Sequence, residues 1–473
     1  MEIRLKTDVS SRMILVTTSF AAFATPFLSS AIAFSVPRIG STFHLDFVQA
    51  ALIPMILLIP LASLMIFFGR ISDDVGRARI FKIGLAIFGL ASIGGFFSFS
   101  YTFLIAMVFL AGIGSSILST NSTAIVSYVY SKKNRGFALG INAMTVYLGL
   151  TFAPFLGGLL IEFAGWRSIF LFSGPIALAD LAFSFVSMKG FEMRGKTEKS
   201  GVFAALLLAG AIFSMTALVA LGDLYGFLIA LYISPLPVIF FILFIYFGIR
   251  GSARVIPPDL FRGNRTFTAS SITALLNYLS TFSIVFVFSI YLQVILGVSP
   301  FISGLLILPE PVLMVTLSPL AGSLSDRFGS RIIASLGMLI IGFSFLALYL
   351  ISPLSRIDIL VLLGTIGIGF GLFSAPNTNS VMSSVSRENS GIASGFLGTM
   401  RFTGQLFSIV IATAVISSYI PRSLTVGIFS GTVVTITQKY AASFTLGFHG
   451  VMLISAILSI LGAITSLVKN RGE

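Results

Sequence analysis

Two copies of one loop motif decide the fold of this chain. The first is Gly69-Arg-Ile-Ser-Asp73-Asp-Val-Gly76-Arg77-Ala-Arg79, and the second is Gly322-Ser-Leu-Ser-Asp326-Arg327-Phe-Gly329-Ser-Arg331. Each copy joins two long apolar stretches. The pairing predicts a membrane protein whose second half repeats its first, an architecture that is typical of transporters.

The composition indicates a protein that is solvated by lipid. Hydrophobic residues make up 56% and charged residues 10% of the 473 residues, and the mean hydropathy is +1.04. A soluble globule of this size needs more polar surface than that. The chain has no cysteine and two histidines, His44 and His449, so thiolate and His-rich metal sites are excluded. It lacks the nucleotide-binding motif Gly-xxxx-Gly-Lys-Ser/Thr, so we do not expect an ATP-driven pump. It also lacks a nucleophile-base arrangement, so we do not expect an enzyme, and we expect neither a metal nor a cofactor.

The apolar stretches predict an all-α integral membrane protein with fourteen spans. Two longer polar connections divide the chain into three parts. We expect a six-helix bundle in residues 1–190, two inserted helices with flanking loops in 191–264, and a second six-helix bundle in 265–473.

Glycine patterns extend the repeat beyond the loop motif. Gly112-Ile-Gly114 in span 4 matches Gly367-Ile-Gly369 in span 12, and all the glycine pairs share one offset. The remaining matches are Gly136 with Gly391, Gly140 with Gly395, and Gly149 with Gly404. The matches indicate that residues 1–190 and 265–473 are repeated halves, and small residues in their helices permit close helix contacts.

The basic residues predict the topology. The formal charge is +13, and most of the 29 lysines and arginines fall in loops on the side that carries the termini and the loop motifs. The other side receives Arg38, Arg167, Arg356, Arg422 and Lys439. By the positive-inside rule, both termini are cytoplasmic. The charge then indicates contact with anionic lipids in the plasma membrane, and nucleic-acid binding is excluded.

The doubled motif resembles that of the major facilitator superfamily, specifically its fourteen-helix drug:proton antiporter branch, and the resemblance covers essentially the whole chain. It implies that the motifs act as conformational latches made and broken during alternating access. The implied residues are Gly69, Asp73, Gly76, Arg77, Arg79, Gly322, Asp326, Arg327, Gly329 and Arg331. Alternatively, these charges only mark a cytoplasmic turn.

Span 5 carries Gly149-xxx-Ala153-Pro154-xx-Gly157-Gly158, which is similar to the antiporter motif of that branch and implies exchange rather than symport. The family normally has Gly where Ala153 stands. The alternative is a kinked, closely packed helix without a role in the direction of transport. Two further positions depart from the family. Val108 replaces a frequent Arg in span 4, and Leu28 replaces an acid in span 1, so any proton coupling must use other residues.

Three charged residues fall within the spans, where charges are costly and often functional. Glu310, in Pro309-Glu310-Pro311 of span 10, is our candidate for the proton-carrying acid, because desolvation favours its neutral form. Arg401 in span 13 is its candidate partner in proton coupling. Alternatively, Glu310 is a structural carboxyl or a permanent partner of Arg401, or Arg401 binds an anionic substrate group. Asp180, in span 6, is expected to have a packing or lipid-facing role.

Polar residues among many Phe and Met suit an adaptable site for amphipathic compounds. The candidates are Asn142, Tyr147, Asn277, Tyr278, Tyr291, Gln293, Asn377, Asn379 and Gln405. Each of them could instead make a hydrogen bond between helices.

The functional prediction is a secondary active transporter that exports hydrophobic or amphipathic drugs in exchange for protons. One alternative is a proton-linked exporter of an endogenous metabolite or organic anion. Another is a membrane receptor or scaffold of transporter ancestry that does not transport. The expected partners are a small-molecule substrate, protons and the lipid bilayer, and the expected state is a monomer.

Overall fold

The computed structural model describes residues 8–130, 135–193, 199–225, 232–249, 260–261, 263–385, 390–420 and 438–469, and its elements in these ranges are helices. The first eight are α1 (Asp8–Phe43), α2 (Phe47–Val75), α3 (Arg77–Phe96), α4 (Tyr101–Val129), α5 (Arg135–Ala164), α6 (Ser168–Ser187), α7 (Lys199–Tyr225) and α8 (Pro235–Phe244, continued by the π-helical turn Ile245–Ile249). The others are α9 (Arg265–Thr281, Ser283–Ile290 and the π-helical turn Tyr291–Ile295), α10 (Pro300–Ile307 and Pro309–Phe328), α11 (Ser330–Leu350), α12 (Arg356–Ser383), α13 (Ser390–Tyr419) and α14 (Gln438–Leu467).

The prediction of an all-α membrane protein is confirmed. In the described part of the chain, 12 helices are long and apolar enough to cross a bilayer, and these are α1–α6 and α9–α14. The inserted helices contribute shorter apolar stretches, Val202–Met215 in α7 and Pro235–Phe247 in α8. The start of the predicted eighth span, 226–231, lies outside the described residues. Fourteen is thus an approximate count.

Polar residues at the helix starts fix where several helices begin. The Asp46 side chain accepts a hydrogen bond from the backbone N–H of Gln49, and the Gln49 side chain accepts one from the backbone N–H of Asp46, which forms a capping box. Ser355 and Asp358 make the same arrangement at the start of α12. Ser299 caps α10 through the N–H of Ile302. These caps satisfy backbone groups that would otherwise lack partners at the membrane surface.

The helices form two bundles, α1–α6 and α9–α14, that repeat the same glycine contacts. A Cβ atom added to Gly114 would lie 2.6 Å from the backbone nitrogen of Phe88 in α3, and one added to Gly369 would meet the backbone of Gly337 and Ile341 in α11. Gly149 presses in the same way on α1, and its match Gly404 presses on α9 near Tyr278. Such contacts need residues without side chains. These glycines, which match between the two halves of the sequence, therefore make equivalent helix contacts in the two bundles.

Consecutive helices alternate in direction, which gives the molecule two faces. We call the face that carries the α2–α3 and α10–α11 loops the motif face, and the other the distal face. Helix α1 begins and α14 ends at the motif face, where Ser466 Oγ donates to the carbonyl of Arg331 at 3.4 Å.

The inserted helices pack against the outside of the two bundles. Phe240 of α8 lies on Gly210 of α7. An apolar cluster near the motif face then joins α7 and α8 to α2, α9, α12 and α13, and its members include Ala204, Leu207, Phe244, Phe267, Val381 and Ala393. The pair thus covers a junction between the bundles without entering the centre of the molecule.

Candidate functional site

A cavity of about 580 Å³ lies between the two bundles. Its walls come from α1, α2, the start of α3, α4 and α5 on one side and α9, α12 and α13 on the other. Its lining reaches the motif face, where Arg70, Ser127, Met382 and Ile392 take part, and its innermost residues include Leu150, Tyr278 and Gln405. The cavity is therefore open toward the motif face.

The distal end of the cavity is closed by direct contact between α5 and α10. We call this contact the distal seal, and it consists of Pro154, Gly158, Glu162, Pro300, Phe301 and Gly304. A Cβ atom on Gly158 would lie 2.6 Å from the carbonyl oxygen of Pro300, and one on Gly304 would collide with the carbonyl of Pro154. Backbone packs on backbone here, which leaves no passage between the helices.

Hydrogen bonds strengthen the distal seal. Glu162 Oε2 accepts a bond of 2.8 Å from the backbone N–H of Phe301, at the start of α10. A carboxylate at a helix N-terminus is favoured by the unpaired N–H groups and the helix dipole. Beside it, Gln293 donates to the carbonyl of Phe34 at 3.3 Å and Ser289 to that of Ala33 at 3.4 Å. All three bonds join one bundle to the other.

Arg401 is the cation at the inner end of the cavity. Its side chain is half-buried, and its guanidinium carbon lies 4.7 Å from the ring centroid of Phe402 and 5.8 Å from that of Tyr278. Among the described residues it makes no ion pair, and its Nε has no hydrogen-bond partner. The other charged residues of the described lining are Arg70, Asp73 and Arg77.

Hydroxyl groups from both bundles meet beside Arg401. The Tyr147 hydroxyl of α5 hydrogen-bonds to Ser374 Oγ of α12, across the two bundles. Tyr278 of α9 interacts with both Tyr147 and Arg401. Phenol, hydroxyl and guanidinium groups in an otherwise apolar cavity can orient a bound molecule by its polar end.

Five of the nine predicted substrate residues line the cavity: Asn142, Tyr147, Tyr278, Asn377 and Gln405. The other four lie elsewhere. Asn277 donates to the sulfur of Met338, Tyr291 stacks on Phe448, Gln293 belongs to the distal contacts, and Asn379 is exposed away from the cavity. The sequence could not assign these because nearly every face of these helices is apolar.

Glu310 lies outside the lining of the cavity. It occupies the first turn of the second segment of α10, which follows a break at Leu308. The side chain is half-buried, and a Cβ atom on Gly367 of α12 would lie 2.8 Å from its carbonyl carbon. Next to it, Thr151 Oγ1 of the opposite bundle donates to the carbonyl of Pro311 at 3.2 Å. No ion pair to Arg401 exists between these described residues, so the predicted proton-coupling pair is not formed in this conformation.

Asp180 is buried within the first bundle. Its side chain is 4% exposed, and neither carboxylate oxygen has a hydrogen-bond partner among the described residues. Asp180 therefore packs inside this bundle, and it does not line the cavity.

The first loop motif is held by an acid outside it. Asp73 pairs with Arg77 at 2.7 Å, and Arg77 also donates to Asn121 Oδ1 at 3.4 Å. Gly76 has a φ of +119°, and the carboxylate of Glu192 occupies the space where a side chain would stand. Glu192 Oε1 accepts from the N–H of Ala78 at 3.0 Å, at the start of α3.

The other predicted latch residues make fewer contacts. A Cβ atom on Gly69 would lie 3.2 Å from the Thr120 side chain, and the exposed Arg79 makes no ion pair within the described part. In the second motif, Gly329 has a φ of +85°, Gly322 has open space beside it, Arg327 is exposed and Arg331 half-buried. The side chain of Asp326 lies outside the described part, so the second latch stays a prediction.

The predicted antiporter motif runs along the face of α5 that turns toward α1 and α10. Gly149 packs on the backbone of α1, and Ala153 is fully buried. Pro154 and Gly158 take part in the distal seal, whereas Gly157 makes only an ordinary contact, at 3.7 Å from Ala31. The motif thus supplies half of the contact between the bundles at the distal face.

Comparison with known proteins gives the family. The sequence matches the Major Facilitator Superfamily over residues 18–409 and 272–471. The chain belongs to this superfamily. This major facilitator protein is a multi-pass membrane transporter, and the prediction that it is not an enzyme is confirmed by the match.

The relatives of this major facilitator protein carry several names. It is 29% identical to the riboflavin transporter RibZ of Clostridioides difficile over 82% of this chain and 84% of the relative. It is 28% identical to the methylenomycin A resistance protein of Bacillus subtilis over 75% of this chain and 77% of the relative. The structure resembles a bacterial homologue of the lysosomal transporter Spinster, with a TM-score of 0.70, 15% identity and coverage of 98% of this chain and 97% of the other. This last likeness shows the fold.

Sequence reasoning missed three ionisable residues of this transporter. Glu162 and Glu192 each cap a helix that they do not belong to. Lys469, just beyond α14, is 2% exposed, and its Nζ donates to Asn377 Oδ1 at 3.0 Å. Burial lowers the pKa of Lys469 to about 7. All three lie at the ends of spans, where charged residues are common because the chain leaves the membrane there, so their sequence positions gave no sign of a special role.

Proposed function

We propose that this transporter exports hydrophobic or amphipathic compounds in exchange for protons, as a member of the fourteen-helix drug:proton antiporter branch. The observation that carries the proposal is the central cavity, which is open at the motif face and closed at the distal face. A cavity between two repeated bundles is what alternating access requires. Its mixed lining of apolar side chains and a few polar groups suits an amphipathic compound.

The distribution of charge supports the orientation. Basic residues concentrate in loops of the motif face, and such loops are retained in the cytoplasm. We infer that the motif face and both termini are cytoplasmic, and that the membrane is the plasma membrane. The structure then represents an inward-facing state, in which a cytoplasmic compound can enter.

The names of the relatives support export. Several of them are resistance proteins, including the multidrug resistance protein Stp of Mycobacterium tuberculosis and the tetracenomycin C resistance and export protein of Streptomyces glaucescens. The riboflavin transporter shows that the group also includes a carrier of a defined compound. We infer that a planar aromatic compound is a suitable substrate.

The transport step that we propose is a rocking of residues 1–190 against residues 265–473, with 191–264 as a peripheral pair of helices. Opening at the distal face requires separation of α5 from α10, hence loss of the Glu162–Phe301 bond and of the glycine contacts. Closing at the motif face brings the two loop motifs toward the opposite bundle. The whole cavity comes from one chain, which supports a monomer as the working unit.

Glu310 is our candidate for the proton carrier. It lies between the distal seal and the cavity, on the helix that must move, next to the Thr151–Pro311 bond that joins the bundles. A charged carboxylate there needs water, which favours an open distal side, and a neutral one tolerates closure. Proton uptake from outside would therefore permit the return to the inward-facing state.

The test is proton movement in proteoliposomes with a trapped pH-sensitive dye, measured when ethidium, rhodamine 6G or fluorescein is added under an imposed pH gradient. We expect substrate-dependent proton flux in the native protein and its loss in Glu310→Gln. Asp180→Asn is the matched control, because it removes another intramembrane carboxyl away from the cavity, and it should retain the flux. Flux that survives Glu310→Gln contradicts the assignment of the carrier, and the absence of flux with every compound contradicts antiport.

Arg401 favours a second candidate function, the export of an endogenous metabolite or organic anion. Its guanidinium faces the cavity without an acidic partner among the described residues.

A further inference from the structure

We propose that the preferred substrates of this transporter are compact aromatic anions, whose acidic group binds Arg401 and whose rings pack on Phe402 and Tyr278. The inference rests on the proposed export function and specifies the class of substrate.

The net charge of the cavity wall favours an anionic substrate. Within the described lining, the charged side chains are Arg70, Asp73, Arg77 and Arg401. The single carboxylate of the described lining, Asp73, is bound to Arg77 at 2.7 Å near the entrance. A cavity with low-dielectric walls and a net positive lining concentrates anions and repels cations. A cationic drug that reached the inner end would meet Arg401 and no carboxylate of the described lining.

The contacts of Arg401 leave its guanidinium able to bind an acidic group. A guanidinium inside a membrane protein needs a partner, because removing a charge from water is costly. Here the guanidinium rests on two aromatic rings, at 4.7 Å and 5.8 Å, which hold it in place without neutralising it. Its Nε is buried and has no acceptor among the described residues. A planar guanidinium held in this way presents its N–H edge to a carboxylate or sulfonate.

The neighbours of Arg401 complete a polar end for the ligand. Tyr278 and Tyr147 lie beside it, and Ser374 is bonded to Tyr147. Gln405 lines the same end of the cavity and is 4% exposed. These groups can donate hydrogen bonds to an anion.

The size of the cavity identifies the source of the anion. A volume of about 580 Å³ accommodates one drug-sized molecule, whereas a phospholipid with two acyl chains is too large for it. We therefore assign the site to a compact organic anion and not to a lipid headgroup.

The test compares two dyes that share a xanthene ring system but carry opposite charge, fluorescein as the anion and rhodamine 6G as the cation. Binding to the purified protein in phosphatidylcholine nanodiscs is followed by fluorescence anisotropy, with empty nanodiscs as the blank. We expect tighter binding of fluorescein than of rhodamine 6G, with an affinity that falls as ionic strength rises.

Variants of Arg401 locate the contact. Arg401→Gln should weaken fluorescein binding by about 10- to 100-fold, because a hydrogen-bonded charge pair is lost, and should leave rhodamine 6G binding unchanged or improved. Arg401→Lys, which keeps the charge but loses the planar fork, should fall between the two. Arg38→Gln is the matched control, an exposed arginine outside the cavity, and should bind as the native protein does. If Arg401→Gln fails to fold, Arg401→Lys and the salt dependence of the native protein decide the question.

Tighter binding of rhodamine 6G to the native protein, or fluorescein binding that is insensitive to both Arg401 variants, overturns the proposal. Inclusion of phosphatidylglycerol should not compete with fluorescein, and strong competition would instead assign Arg401 to lipid. The proposed function fails in a different way. Proton flux with rhodamine 6G but not fluorescein overturns the anion preference and leaves antiport standing, whereas no dye-dependent proton flux at all removes the antiport.

Discussion

The distal seal makes a prediction that two adjacent glycines can test. In Gly158→Ala, the new Cβ atom would lie 2.6 Å from the carbonyl oxygen of Pro300, about 0.8 Å short of the 3.4 Å at which ordinary contact begins. The obstacle is backbone, so α5 and α10 must move apart. In Gly157→Ala, the new atom meets Ala31 at 3.7 Å and needs no movement. Gly157→Ala is therefore a matched control in the same turn of the same helix.

The expected magnitude follows from the overlap. Forcing an extra methyl group into a closely packed contact costs about 1–3 kcal/mol. The cost applies to the state with the seal closed and is relieved when α5 separates from α10. The closed state should lose population relative to the distal-open state by about 5- to 150-fold. The gain in helix propensity from Gly to Ala, about 0.5–1 kcal/mol, is common to both variants and cancels in the comparison.

The absence of cysteine from the chain provides a direct assay. Ala33 is fully buried beside the distal seal, and its carbonyl accepts the bond from Ser289. An Ala33→Cys reporter should react slowly with a water-soluble maleimide in the native and Gly157→Ala backgrounds, and at least about 5-fold faster with Gly158→Ala. Equal labelling rates in the two glycine variants would refute the reasoning, because the packing at Gly158 would then not control the closure.

Two further outcomes are expected. Glu162→Gln should also accelerate labelling of the Ala33→Cys reporter, by about tenfold or less, because a neutral amide binds the Phe301 N–H more weakly than a carboxylate does; a rate equal to that of the native protein would exclude Glu162 from the seal. Burial lowers the pKa of Lys469 from 10.5 to about 7, so between these two pH values the unfolded chain binds more protons than the folded protein. The free energy of unfolding should therefore rise with pH in this range, by up to about 1.4 kcal/mol per pH unit. Lys469→Met should remove this slope and raise the thermal midpoint at pH 7, as measured by thermal unfolding across that range, and an unchanged slope would contradict the burial of a neutral amine.

The positions of the helices could be read from the sequence because their signals are strong. Long apolar stretches have few alternatives in a chain of this composition, and the paired glycines identified contacts that the structure repeats at Gly149 and Gly404. The inserted helices were harder. Their apolar stretches are short in the described part, where 12 helices are long and apolar enough to cross a bilayer, so the predicted fourteen is an approximate count.

The orientation of side chains was harder to predict than the helices. In a membrane helix both the lipid-facing and the protein-facing sides are apolar, so hydropathy does not show which face Asn277 or Gln293 occupies. Arg401 and Gln405 both line the cavity, and they lie one helical turn apart on α13. Glu310 lies outside the lining, just after the break at Leu308. A break just before a proline changes the direction of a helix in ways that residue spacing alone does not predict.

Contacts between distant segments were outside the reach of sequence reasoning. Asp73 binds Arg77 within its own motif, whereas the start of α3 is capped by Glu192, which lies outside the motif. Glu162 serves the start of α10 from the opposite bundle. Such pairings depend on which loops the folded chain brings together, and a single sequence does not contain that information.

The central claim is coupled exchange, and uphill movement of the substrate tests it most directly. Fluorescein and rhodamine 6G should be offered separately to proteoliposomes with an acidic interior, in which inside-out molecules carry substrate inward as protons leave. We expect one of the dyes to accumulate above its external concentration, and we expect nigericin to abolish the accumulation by removing the pH gradient. Equilibration of both dyes to the external concentration, with or without the gradient, would contradict proton-coupled export.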